Sequence, residues 1–242
     1  MQTVLFKTDD QGASSEQRMV VAHELEPRVA RTQDPARSGA GGIPQFHNTF
    51  PQSADAMASI LPMHFPTGTI LDVNYGHGVF YQKVDRDVTG VDVRPPAKII
   101  CDNAALPFAD DSFDVGVCDP PYKRGNTNKR FESRYGVAPD TEPKVTKLYY
   151  AAMTELLRVC RQGMIVKCQD AADGHSFHAR HITLCEWVKE KTGLRVHDIA
   201  TVIRWGVPNA NTQGARHFFQ QSTSYFLIWK WKSKNPFRAV RF

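Results

Sequence analysis

Asp119-Pro120-Pro121-Tyr122 is the stretch of this chain best equipped for chemistry. The apolar run from Phe113 to Cys118 reads as a buried strand that the tetrapeptide ends. A strand stopping at an acid, two prolines and an aromatic residue sets a carboxylate and a flat ring at the C-terminal edge of a sheet. Open α/β sheets bind their ligands at that edge. Four specified residues recur by chance in about one chain in a thousand of this length. The plainer alternative is a Pro-Pro turn after a core strand, with Tyr122 simply packing.

A second motif is Ile70-Leu71-Asp72-Val73-Asn74-Tyr75-Gly76-His77-Gly78, an apolar strand running into an acid and a turn with two glycines. A helix is expected from Val79. Glycines in such a turn let the backbone approach a ligand that any Cβ would obstruct. A second strand then ends at Gly90-Val91-Asp92, where the acid is placed to hydrogen-bond ribose hydroxyls. After a third strand, Asp102 and Asn103 are turn formers that could also meet the edge of an adenine. Together these point to a nucleoside-bearing cofactor. A tight strand-helix turn with an N-capping acid is the competing reading.

Positive charge gathers beside the tetrapeptide. Lys123, Arg124, Lys129, Arg130 and Arg134 face the single acid Glu132 between positions 123 and 134. Lys230, Lys232, Lys234, Arg238 and Arg241 form a second cluster with no acid, and the net charge is +5. Both clusters carry aromatic residues, a composition suited to a nucleic-acid backbone and its bases. A solvated loop and a basic tail would look similar.

The elements that must position these residues alternate between strand and helix, which predicts a mostly parallel sheet covered on both faces. Expected strands are Thr69 to Val73, Val88 to Val91, Lys98 to Ile100, Phe113 to Val117 and Met164 to Lys167, completed by Arg195 to Arg204 and Tyr225 to Trp229. Helices are expected over Ala54 to Leu61 (stopped by Pro62), Lys144 to Arg161 (ended by Gly163) and Ile182 to Lys191. Residues 1–50 read as an extension with one possible strand, Thr3 to Lys7, and a glycine-rich linker at 38–42. Residues 51–232 form the expected catalytic domain, and 233–242 a basic tail.

With 242 residues, 41% of them hydrophobic, the chain can bury a sizeable core. It has no apolar run near the roughly 18 residues of a membrane span and no secretory pattern at its start. Its five cysteines lack a Cys-x-x-Cys pair and read as buried thiols, so a cytoplasmic location is expected. His175, His178 and His181 with Cys185 invite a metal reading. No further ligand has zinc-like spacing, so loop histidines near a substrate path, and no metal, are expected.

Taken together, the tetrapeptide, the glycine motif and the acids after the second and third strands resemble the class I S-adenosylmethionine-dependent methyltransferases with a DPPY motif. Within these the chain is similar to small orphan DNA amino-methyltransferases of bacteria and their phages. The resemblance spans roughly residues 52–230 and includes Lys167-Cys168-Gln169-Asp170, Arg216-His217 and Ser224-Tyr225-Phe226-Leu227.

It implies a Rossmann-like fold with a seven-stranded sheet and S-adenosyl-L-methionine held by Asp72, Asn74, Gly76, Gly78, Asp92, Asp102 and Asn103. Asp119 and the Pro120 carbonyl would accept the hydrogens of a base amine, with Pro121 shaping the turn. Tyr122 would stack on a base flipped out of the duplex. The five cations after Tyr122 would hold the substrate, and Gln169 and Asp170 would line the base pocket.

Two departures stand out. Val73-Asn74 replaces the Pro-Phe usual after the first acid, and no long insertion resembles a target-recognition domain. The resemblance implies adenine N6 in DNA over cytosine N4, a family tendency where the tetrapeptide opens with Asp rather than Ser. An RNA enzyme acting, for instance, on guanine N2 and a catalytically silent nucleic-acid-binding subunit are the alternatives. A second subunit supplying specificity and a restriction partner are both left open, as is the oligomeric state.

Overall fold

A computed structural model of the protein describes residues 47–121, 139, 141–172, 176–203 and 223–232. The expected strand at Thr3 to Lys7, the linker at 38–42 and the tail at 233–242 lie outside the described residues.

The chain enters through β1 (Thr49–Phe50) and α1 (Ser53–His64). β2 (Ile70–Asp72), β3 (Val88–Asp92), β4 (Ile99–Ile100) and β5 (Phe113–Cys118) follow. Next, α2 (Glu142–Val159) runs directly into β6 (Cys160–Cys168). A small antiparallel pair, β7 (Ala171–Ala172) and β8 (Phe177–His178), precedes α3 (Arg180–Thr192), β9 (Asp198–Ile203) and β10 (Thr223–Lys230).

Eight strands share one sheet in the order β1-β9-β10-β6-β5-β2-β3-β4. All pair in parallel except β10, which is antiparallel to both β6 and β9. Strand order steps outward from β2 through β3 and β4 on one side, and through β5 and β6 on the other. The topological switch point therefore lies between β2 and β5. This is the expected Rossmann-like sheet with one strand more than the seven predicted, the two-residue edge β1.

Both faces are covered. One core joins α2 and α3 to Leu71, Val91, Met164, Val166, Leu227 and Trp229. The other joins α1 to Ile70, Val115, Val117, Ile165, Phe226 and Ile228. Alternate residues of β10 thus part between the two layers, as a strand's period of two requires. Each such side chain contributes about 1.5–3 kcal/mol by leaving water. α2 follows from Pro143 in its first turn and buried Val145, Tyr149, Ala152, Met153 and Leu156 at helical spacing.

Three sequence expectations need correction. Pro62 does not stop α1, which continues to His64. A proline removes one helical hydrogen bond, and burial of Leu61 and His64 on the same face carries the helix past it. The helix expected from Val79 is only a 3-10 turn, Val79–Tyr81. Its short-range bonds, Tyr81 N to Gly78 O and Val84 N to Tyr81 O, continue into the chain leading to β3 and leave no room for a longer helix. Gly163 does not end α2 but lies inside β6, where an added Cβ would fall 2.3 Å from the Trp229 carbonyl.

The cysteines are free thiols, with Cys118, Cys160 and Cys168 buried, and desolvation raises the pKa of all three. Among the described residues no helix is long and apolar enough to cross a membrane.

Candidate active site

Sheet register lines up the polar residues at the C-terminal edge. Cys118 pairs with Val166, Val117 with Asp72, and Asp72 with Gly90. Continuing that register one or two residues sets Lys167, Asp119, Asn74 and Asp92 at one level across β6, β5, β2 and β3. The row crosses the switch point, where this class of sheet binds ligands.

Asp119 is the centre of the row. Its Oδ2 accepts from Lys167 Nζ at 2.9 Å, and the lysine is 3% exposed. Lys167 also lies 5.2 Å from the centre of the Phe80 ring, and Tyr149 Oη donates to its carbonyl at 3.1 Å. Asp119 Oδ1 is buried and has no hydrogen-bond partner among the described residues. A buried acceptor left in this state costs about 1–3 kcal/mol. The Oδ1 of Asn74, on the neighbouring strand end, is in the same state. Pro120 is buried and Pro121 half-buried, while Tyr122 and the cations Lys123, Arg124, Lys129, Arg130 and Arg134 lie outside the described residues.

Asp72 is turned inward. Its Oδ1 accepts from Asn74 N at 2.9 Å and its Oδ2 from Tyr81 Oη at 2.7 Å. Burial pushes its carboxyl up to about 7, against the two hydrogen bonds that favour the charged form. Asp72 therefore shapes the loop from beneath. Asp92 braces it from the side, its Oδ2 accepting from Gly76 N at 2.9 Å.

Gly78 is crowded for a different reason from the one expected, and Gly90 shares it. At Gly78 and Gly90 an added Cβ would lie 2.5 and 2.4 Å from the side chain of Tyr75, which lies across both. The crowding atom thus comes from the chain itself. Gly76, at φ +53, has open space at the Cβ position, so of Gly76, Gly78 and Gly90 it alone presents a free approach.

Asp102 is exposed and its Oδ1 accepts from Ala104 N at 2.9 Å, a turn of the kind its residue type favours, and Asn103 beside it is buried. Gln169 has its carbonyl bound by Arg180 Nη1. Asp170 is 5% exposed and its Oδ1 is held by His181, 2.7 Å from Nδ1 and 3.3 Å from the backbone N. The His181 ring in turn stacks on Tyr225 at 4.3 Å. Asp170 is therefore committed to the α3–β10 packing. His175 lies outside the described residues, among which no group of three His, Cys, Asp or Glu gathers as a metal site.

Lys167 is a site residue to which sequence reasoning assigned no role. Its signal was present: a lysine between Val166 and Cys168 in an apolar strand must find a partner when buried.

A nucleoside-bearing cofactor fits this edge. Unpartnered acceptors at Asn74 and Asp119 suit amine or hydroxyl donors, and the backbone is open at Gly76. Val93 and Ile100, 56% and 51% exposed, offer apolar surface beside Asp92 for a flat ring.

No protein-family model matches this chain, and no curated protein matches it. Solved structures resemble it in outline. A candidate methyltransferase from Bacillus halodurans is 11% identical, over 74% of this chain and 100% of its own, with a TM-score of 0.47. A SAM-dependent methyltransferase from Methanosarcina mazei is 15% identical over 72% and 98%, with a TM-score of 0.42. A candidate RNA methyltransferase from Pyrococcus horikoshii is 12% identical over 73% and 84%, at 0.45. The fold rests on strand order itself: β4-β3-β2-β5-β6 in parallel, then the reversed β10, then β9 running parallel to the first five, make a Rossmann-like doubly wound sheet.

Proposed function

We propose that this protein is an S-adenosylmethionine-dependent methyltransferase acting on an exocyclic amine of a nucleic-acid base, adenine N6 in DNA. The observation that carries this reading is the Asp119 carboxylate. One oxygen is tied to a buried lysine and the other, at the strand end, is an acceptor without a partner among the described residues.

An exocyclic amine is a weak nucleophile because its lone pair is delocalised into the ring. A fixed acceptor for one amine hydrogen favours the pyramidal nitrogen that attacks, and the Pro120 carbonyl is assigned the other hydrogen. Lys167 sets the rotation of the Asp119 carboxylate, so that Oδ1 is preorganised when the base arrives. Asn74, Gly76, Asp92, Asp102 and Asn103 hold the cofactor, with Asp72 and Gly78 shaping the loop around them. The cofactor supplies an electrophilic methyl group on a sulfonium. Tyr122 stacks on the extruded base, and the cations from Lys123 to Arg134 hold phosphates. The choice of adenine rests on Asp rather than Ser at position 119, as in the resembled DNA enzymes.

The test is transfer of labelled methyl groups to duplex DNA, single-stranded DNA and RNA, with product nucleosides identified by mass. N6-methyladenine from DNA, lost in Asp119→Ala, is the expected result. Label in RNA alone moves the protein to RNA substrates. Cofactor binding without transfer to any of the three sinks the catalytic reading.

A further inference from the structure

The N-terminal turns of α2 and α3 and strand β8 line an open cavity of about 520 Å³, within the range of small-ligand sites. Tyr150 and Phe177 bring two aromatic rings to its wall, and Lys147, His178 and Thr183 bring polar groups. The Tyr150 ring is backed by Trp187, stacked at 4.5 Å and 10°, so its plane is fixed. Phe177 is 46% exposed, a large apolar side chain left in water on a two-residue strand.

Among the described residues lining it, the one acid is Glu142, and it is matched by Arg180. Arg180 Nε and Nη2 donate to its two oxygens at 2.9 and 2.8 Å, and the arginine is 1% exposed. With Glu142 matched, Lys147, exposed and one helical turn before Tyr150, leaves the cavity net positive. Flat faces, a cation and hydroxyls together select an aromatic anion. The cavity is also mechanically tied to the reaction edge. Arg180 donates to the Gln169 carbonyl, and Gln169 is two residues from Lys167.

We infer that this cavity is a nucleotide subsite, taking one nucleotide of the substrate strand next to the methylated base. The inference rests on the proposed nucleic-acid substrate and locates a specificity element among the described residues. The base lies against Tyr150 or Phe177, and its phosphate meets Lys147.

The experiment measures binding directly, independent of methyl transfer. Fluorescence anisotropy with a labelled short single-stranded DNA and its duplex is run on wild type, Phe177→Ala and Lys147→Gln, with AMP as competitor. Both altered side chains are exposed, and circular dichroism checks that the variants fold. Phe177→Ala should weaken DNA binding about tenfold, the loss of one stacking contact. Lys147→Gln should weaken it and lower the slope of log affinity against log salt by about one. Wild-type affinity and salt slope in both variants would overturn the subsite. AMP binding lost in the variants while DNA binding is unchanged would also overturn it, in favour of a free nucleotide. Variant-sensitive DNA binding by a wild type that methylates nothing would leave the subsite standing and remove the catalytic proposal alone.

Discussion

Lys167 Nζ and Asp119 Oδ2 meet at 2.9 Å although 48 residues separate them in the chain. The lysine is 3% exposed and the aspartate side chain 18%, so each offsets part of the other's loss of water.

Removing one charge should therefore cost more than removing both. Lys167→Met or Asp119→Asn alone is expected to destabilise the fold by about 3–5 kcal/mol, and the double variant by clearly less. Urea denaturation of the four proteins measures the coupling. Additive losses would show that the pair is not a unit.

Asp72 predicts a pH dependence of stability. In the unfolded chain its carboxyl loses its proton near the ordinary value of 3.8, whereas in the folded protein it keeps it up to about 7. The folded state binds more protons between those values. Asp72 therefore lowers stability as pH rises through that window, by on the order of 4 kcal/mol, and has a constant effect above it. Asp72→Asn keeps an acceptor for Asn74 N and a partner for Tyr81 Oη. It should abolish this contribution, so the variant gains stability relative to wild type from pH 5 to pH 8 in denaturant titrations.

Tyr75 fills the space that glycine leaves at position 90. Gly90→Ala should cost about 1–3 kcal/mol through overpacking, and much of that should return in Gly90→Ala with Tyr75→Ala. Thermal melts of the single and double variants decide it. No recovery in the double variant would mean that another group requires the glycine.

Glu142 and Arg180 form the most enclosed ion pair described, with Arg180 also bound to the Gln169 carbonyl. Glu142→Ala leaves that guanidinium without its two-pronged partner and should destabilise by about 3–5 kcal/mol. Glu142→Ala with Arg180→Met should recover part of this, measured in the same way.

Much of the architecture was legible because it is local. Apolar runs bounded by Asp, Pro and Gly marked β2, β3, β5, β6 and β10, and alternation with helical patterns marked a parallel sheet. A strand's end is written where its apolar run stops, so Asp72, Asp92 and Asp119 could be assigned to the ligand edge from residue order alone. Element ends were less legible, because burial of Leu61 and His64 outweighs Pro62, and the short chain before β3 limits the turn after Gly78.

Folding alone settles which strand ends are neighbours and what lies over them. Parallel pairing of β6, β5, β2 and β3 sets Lys167, Asp119, Asn74 and Asp92 in one row. No sequence spacing encodes that register, since it depends on how twisted strands close around two separate cores. The same holds for Tyr75 across Gly78 and Gly90, and for the Trp229 carbonyl against Gly163. The sequence by itself determined which residues are able to react. Packing determined that Asp119 has one oxygen bound to a lysine and the other without a protein partner among the described residues, because only the folded sheet takes both groups out of water together.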